Sequence, residues 1–423
     1  MDKLNRVFST ALDIIENELL GVSRRHSVRV AILAAAMGRR LGMAEPSLTP
    51  LTTCALFHDN ALTEYILSER PGANQPLNLR LHCEYGQNNI EWLPFPASVE
   101  NFILHHHELA DGGGPFGKKE GECPLEAELI AIADMVDVGN PLDSLAPEKL
   151  PALRWQIEDR KGSVYTRRAT DALLAVLDAE TLASLREESI ASTIEKHLPA
   201  WEVESEDPAI MCAAGFITHI IDYKSTFTEK HTMQIANRSW IMGSHYGYDE
   251  IELARLFLAA TLHDIGKIAT PLEILEKPGP LSADEFAIIK LHALHTHEWL
   301  GGVQGLEDIH AWAANHHEKL DGSGYPLGKK AAELDFNSRL LACLDIYQAV
   351  SEKRPYHPRR GHGDTMPILR DMAQKNLIDR EIVEDLDRAM AEYSNLDVPP
   401  PPPLRKAMDR RDTVISARRL RKA

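Results

Sequence analysis

Two segments of this chain repeat one order of histidines and carboxylates, and that repeat restricts the fold more than any other feature. His105 to Gly117 reads HHHELADGGGPFG, and His316 to Gly328 reads HHEKLDGSGYPLG. Extending the match aligns RHSVRVAILAAAMG around His26 with KHTMQIANRSWIMG around His231. His58-Asp59 aligns with His263-Asp264, each pair 32 residues after its leading histidine. His82 aligns with His292, each 24 residues before the paired histidines His106-His107 and His316-His317. Glu108 and Asp111 align with Glu318 and Asp321, and Asp134 aligns with Asp345. The offset is 205 residues up to the His-Asp pairs, 210 from His292 and 211 after the Tyr-Pro. Chance supplies one His-Asp pair, not seven candidate ligands in one order. The chain therefore reads as two homologous domains, 1–204 and 205–398, with a tail at 399–423.

The pattern between these residues is helical almost throughout. RVAILAAAMGRRLG, ARLFLAATLHDIGK and DALLAVLDAETLASLREESIASTIEKHL carry apolar residues at helical spacing and are rich in Ala and Leu. No strand-turn-strand pattern recurs, so the fold class is all-α. The tail differs: five prolines at 399–403 form a stiff extended spacer, and from Arg405 eight basic residues face two acidic ones. We read that tail as a solvated arm.

Composition narrows the function classes. A net charge of −17 argues against non-specific nucleic-acid binding, so no DNA partner is expected. No apolar run approaches a membrane span, and the amphipathic, acid-containing N-terminus fits neither a signal nor a transit peptide. The five scattered cysteines, Cys54, Cys83, Cys123, Cys212 and Cys343, show neither zinc spacing nor a disulfide framework. These features together suggest a cytoplasmic protein.

Histidine and aspartate are natural ligands for borderline divalent metals, and imidazoles favour Fe or Mn over Mg. Two adjacent ligands on a helix diverge by about 100°, so His263-Asp264 suits two neighbouring metals better than one. His316-His317 poses the same geometry. With His231, His292 and Asp345, the second copy offers five histidines and two carboxylates, too many for one open ion. Two-metal sites lower the pKa of a water between them and clamp both oxygens of an in-line phosphoryl displacement. Lys267, one turn after His263, would hold a phosphate oxygen on that face. His219, His245, His295, His297, His310 and His357 stand outside the repeated order and read as ordinary core or surface residues.

At these residues the second copy resembles an HD-GYP domain, a branch of the HD phosphohydrolase superfamily. The matching pieces are HDIGK (263–267), PLEILEKPGPLSADEF (271–286), HHEKLDGSGYP (316–326), Asp345 and RPY (354–356). The resemblance implies an all-helical fold and hydrolysis of a cyclic dinucleotide, cyclic di-GMP or 3′,3′-cyclic GMP-AMP. It implies that His231, His263, Asp264, His292, His316, His317 and Asp345 hold two divalent ions. Fe or Mn is favoured, with Mg, Ni and Co as alternatives. Lys267, acting with Asp264 in catalysis, would contact the scissile phosphate, and Arg354 and Tyr325 would contact substrate. Gly324, Tyr325 and Pro326 would border the site, where a diguanylate cyclase partner could dock. A homo-oligomer is compatible with this reading. Some members add a third metal through a Glu one turn before the leading histidine; Phe227 stands there, so two metals are expected.

The first copy keeps all seven ligand positions: His26, His58, Asp59, His82, His106, His107 and Asp134. It loses other things. HDIGK becomes HDNAL, so Leu62 replaces the lysine, Pro115-Phe116 replaces Tyr-Pro, and no RPY is evident. Unpaired histidines and carboxylates in a core are costly, so their joint retention points to a metal. The alternative is a satisfied hydrogen-bond network without one. Three roles are open: a structural pseudo-domain, a nucleotide sensor, or removal of the terminal phosphate from the linear product. A reading from another class is a signalling scaffold that binds cyclic dinucleotide or a partner without turnover; the intact Lys267 argues against it.

Overall fold

A computed structural model describes residues 2–62, 64, 78–93, 95, 98–198, 209–222, 231–303, 305–352, 359–393, 397–402 and 404–405. The chain divides into two compact units, 1–202 and 203–423. Among the described residues the regular structure is helical, and the only β pairing is three isolated bridges.

In the first unit, α1 (Asp2–Leu20), α2 (His26–Arg40) and α3 (Glu45–Leu56) precede α4 (Leu79–Ile90) and α5 (Leu125–Gly139). Four shorter helices follow: α6 (Leu150–Asp159), α7 (Arg167–Val176), α8 (Ala179–Ser184) and α9 (Glu187–His197). Helix α2 is the centre, packed against α3, α5 and α7. Its sequence explains that place, because Val30, Leu33, Ala34, Ala35 and Met37 are all fully buried. A helix apolar on every side must be surrounded by others.

The second unit repeats the plan. It contains α10 (Ala209–Asp222), α11 (His231–His245), α12 (Glu250–Leu262), α13 (Leu272–Leu275), α14 (Ala283–Leu300) and α15 (Glu307–Ala314). Helices α16 (Phe336–Ser351), α17 (His362–Gln374) and α18 (Arg380–Met390) complete it. A capping box of Asp249 and Glu252 starts α12, and one of Ser282 and Glu285 starts α14. Leu256, Phe257, Leu258 and Leu262 of α12 are fully buried, each contributing about 1.5–3 kcal/mol by transfer from water. Helix α12 thus becomes the rod against which α10, α11 and α15 lie.

The start of the proline run is not a free spacer. The Val398 carbonyl accepts from the side-chain amides of Gln234 and Asn237 on α11, and Val398 and Leu404 are buried. The basic residues after Arg405 lie outside the described residues.

Candidate metal centres

Five separate elements bring the second set together. His231 opens α11, His292 lies within α14, Asp345 lies within α16, and His316-His317 occupy the turn after α15. His263 and Asp264 do not share one helix, contrary to the sequence expectation. Helix α12 ends at Leu262, His263 caps it, and Asp264 precedes a 3-10 turn at Ile265–Ala269. The His263 Nδ1–H donates to the Ala260 carbonyl at 2.6 Å, occupying one of the acceptors a helix end leaves open.

The same device recurs at other histidines. His292 Nδ1 donates to the Ile289 carbonyl and His316 Nδ1 to the Ala313 carbonyl, both at 2.6 Å. Each bond fixes the tautomer and turns a bare Nε2 inward, as metal-ligating histidines require.

Those nitrogens converge on Asp264. Its Oδ2 lies 3.1 Å from His263 Nε2 and 3.7 Å from His231 Nε2. Its Oδ1 lies 3.4 Å from His292 Nε2 and 3.8 Å from His316 Nε2. Asp345 spans the same gap, with Oδ1 3.3 Å from His231 Nε2 and Oδ2 3.4 Å from His317 Nδ1. The donors fall into two groups, His231-His263-Asp264 and His292-His316-His317, each with ligand atoms within 4.8 Å of one another. His231 Nε2, His263 Nε2 and Asp264 Oδ1 are buried yet make no hydrogen bond. Buried polar atoms are nearly always satisfied, so three orphans in one cluster fit a cation-binding site. Imidazole nitrogens and carboxylate oxygens grouped in this way are a donor set for divalent cations.

Electrostatics within the cluster agree. Burial pushes the Asp264 carboxyl up, but His263 and Lys267 outweigh it and hold the group well below the usual carboxylate range. Burial lowers His292 to about 3 and His317 to about 4, leaving both neutral at physiological pH. His231 goes the other way: Glu352 and Asp345 outweigh burial and raise it to about 10.

Lys267 and Tyr325 adjoin this cluster. Lys267 Nζ donates to Asp264 Oδ2 at 2.5 Å. The Tyr325 ring stands 4.7 Å from His317 and 6.4 Å from His292, and Lys290 Nζ lies 5.9 Å over it. The shared Glu and Asp of the two signature runs prove to be loop scaffolds. The Glu318 carboxylate accepts the backbone N–H groups of Leu327, Gly328 and Lys329, and Asp321 accepts that of Ser323. Glu108 does the same for Phe116 and Lys118, and Asp111 for Gly113.

The first unit shows the same centre. Asp59 Oδ1 lies 3.0 Å from His82 Nε2 and 3.9 Å from His106 Nε2, while Oδ2 lies 3.6 Å from His58 Nε2. Asp134 reaches His26 Nε2 at 3.2 Å and His107 Nδ1 at 3.8 Å. His26-His58-Asp134 and Asp59-His82-His106-His107 form its two groups. The Nε2 atoms of His26, His58 and His106 make no hydrogen bond, which does not fit a network satisfied within itself. Leu62, fully buried, stands where the second unit has Lys267.

Of the histidines set aside, His297 pairs with His310 at 2.9 Å, His295 stacks on Trp299, and His245 lies 3.8 Å from Asp385. None belongs to a metal-ligating group among the described residues. Arg354 and the rest of RPY, Phe227, His357 and the side chain of His219 lie outside the described residues. Sequence reasoning missed two carboxylates that grip the leading histidines, Glu352 on His231 Nδ1 at 3.0 Å and Asp137 on His26 Nδ1 at 2.7 Å. Their helical spacing from Asp345 and Asp134 was the available signal.

Two HD domain family models match, one over residues 24–139 and one over 216–382. The chain is 28% identical to 3′3′-cGAMP-specific phosphodiesterase 1 of Vibrio cholerae, across 88% of this chain and 89% of that one. It is 33% identical to a cyclic di-GMP phosphodiesterase of Thermotoga maritima, across 38% of this chain and 45% of that one. A solved cyclic GMP-AMP specific phosphodiesterase from V. cholerae shares the fold, with a TM-score of 0.62 at 21% identity over 92% of this chain and 97% of that one. No described helix is long and apolar enough to cross a membrane. Each half of the chain thus matches an HD domain family model.

Proposed function

We propose that the second HD domain is a metal-dependent phosphodiesterase that opens a cyclic dinucleotide to its linear form, with 3′,3′-cyclic GMP-AMP preferred. The observation that carries this is the posture of Asp264, one oxygen toward His231 and His263 and the other toward His292 and His316. The seven residues His231, His263, Asp264, His292, His316, His317 and Asp345 would hold two divalent ions, Fe or Mn by donor chemistry. Such ions supply an activated water and neutralise charge at phosphorus.

The chain's own residues do the rest. An ammonium has three donors, and Lys267 spends one on Asp264 and turns the others to a non-bridging phosphate oxygen. Tyr325, its hydroxyl kept protonated by burial, walls the site beside His317 and can donate to substrate. The base preference rests on coverage: the V. cholerae relative named for 3′3′-cGAMP matches across both units, whereas the T. maritima cyclic di-GMP enzyme matches 38% of this chain.

The test is hydrolysis of each cyclic dinucleotide by metal-reconstituted protein, with products separated. His263→Ala with Asp264→Ala should abolish turnover, and wild-type activity in that double variant would sink the assignment. Binding without turnover in the loaded wild type would favour the scaffold reading.

A second reading concerns the first domain. Its orphaned Nε2 atoms support a bound metal there, and the loss of the lysine and Tyr-Pro supports a changed substrate. The reading is removal of the terminal phosphate from the linear dinucleotide. Inorganic phosphate released from 5′-phosphorylated linear dinucleotide, and lost in His58→Ala, would support it; no release ends it.

A further inference from the structure

The two domains grip their leading histidine with carboxylates from different helix positions. In the first, Asp137 lies three residues after the ligand Asp134 on α5 and accepts from His26 Nδ1 at 2.7 Å. Arg29, three residues after His26, donates its Nε to Asp137 Oδ1 at 2.8 Å and its Nη2 to Oδ2 at 2.8 Å. Asp137 and Arg29 are both almost wholly buried, so the pair is compact and charge-balanced.

In the second domain both charged groups have moved by one helical turn. The position of Asp137 is taken by Gln348 and that of Arg29 by Gln234. The carboxylate now comes from Glu352, seven residues after Asp345, and accepts from His231 Nδ1 at 3.0 Å. The cation now comes from Arg238, seven residues after His231. Gln348 joins them: its Oε1 accepts from Arg238 Nη1 at 2.7 Å, and its Nε2 donates to Glu352 Oε2 at 3.1 Å. Residues three and seven positions along a helix share a face, so a one-turn shift keeps the direction of approach. Glu352 sits just past the end of α16, where extended backbone (ψ 159°) frees its longer side chain to reach His231.

We propose that Glu352 is the positioning residue for His231. Through the Arg238–Gln348–Glu352–His231 relay it holds the imidazole tautomer that points Nε2 into the metal centre. The role is the one Asp137 fills for His26 by direct contact. A carboxylate behind a metal-bound imidazole fixes its orientation and raises its basicity. The inference rests on His231 being a metal ligand.

The relocation supplies the test. Glu352→Ala should weaken metal binding by about 10- to 100-fold, read by titrating metal-free protein with Mn²⁺. Gln348→Asp with Glu352→Ala returns the carboxylate to the first domain's position, opposite Arg238. That double variant should recover affinity to within a few-fold of wild type. Circular dichroism of each variant confirms that it is folded. Unchanged Mn²⁺ affinity in Glu352→Ala overturns the proposal, as does a loss that the relocated carboxylate fails to reverse. His231→Ala separates the two levels. If it leaves the metal content of the second domain intact, the ligand reading itself fails. If it lowers that content and Glu352→Ala does not, only the relay fails.

Discussion

Gly266 lies against the backbone of His292 so closely that a Cβ on it would meet the His292 carbonyl oxygen at 2.0 Å. This contact lets the 3-10 turn after Asp264 press onto α14, and so brings Asp264 and His292 into one cluster. Thr296 ties the approach, accepting from the Gly266 N–H at 3.2 Å and donating to the His263 carbonyl at 3.0 Å. In the first domain the small residue has changed sides. Ala61 replaces Gly266, Gly86 replaces Thr296, and Asn60 Nδ2 donates to the Gly86 carbonyl at 3.1 Å.

Gly266→Ala should therefore destabilise the second unit by at least about 1–3 kcal/mol, the cost of overpacking a rigid site. The obstacle is a backbone carbonyl, so adding Thr296→Gly should not restore it. Thermal melting of metal-free protein measures this; a melt matching wild type would refute the packing argument.

Lys267→Ala should lower kcat by about 10²–10³-fold, the scale for removing one donor to a charge that develops in the transition state. Metal content should stay at the wild-type level, because Lys267 touches Asp264 through an oxygen that keeps other partners. Turnover measured beside metal analysis separates this outcome from simple loss of the ions.

Metal uptake should release protons. Without metal, His231 is charged up to about pH 10, and a ligand nitrogen must be bare. His292 and His317, lowered to about 3 and about 4, are already neutral at pH 7 and release none. Affinity at the His231 position should accordingly fall as pH is lowered, because protons compete for Nε2. Mixing metal-free protein with Mn²⁺ in weak buffer at pH 7.5 should show acidification, and His231→Ala should reduce it.

Glu318→Ala should disorder the signature loop while sparing the ligands. Three backbone N–H groups lose their acceptor, at about 1–3 kcal/mol for each one left unpaired. Tyr325 then loses its seat beside His317. We expect KM for the cyclic dinucleotide to rise more than kcat falls, with metal content unchanged.

Much of the centre was legible without coordinates because the chain states it twice. The order His26, His58-Asp59, His82, His106-His107, Asp134 shadows the second set, and repetition separates these residues from histidines such as His297 and His310. The helical class was equally legible, since α2 and α12 carry their burial in their own apolar patterns. The Glu and Asp of the signature runs were harder: shared spacing marks Glu318 and Asp321 as important, but a ligand and a loop scaffold leave the same trace in a repeat.

The order of histidines and carboxylates already marked which side chains assemble, because residue type and spacing are local properties that duplication makes visible. Tertiary structure alone decided how they are aimed. The break of α12 at Leu262, the press of Gly266 on His292, and the two-sided posture of Asp264 depend on which backbone segments meet. The grip of Glu352 on His231 joins residues 121 positions apart. The spacing of Glu352 from Asp345 places it near that face, but its partner is set by how α11 packs on α16.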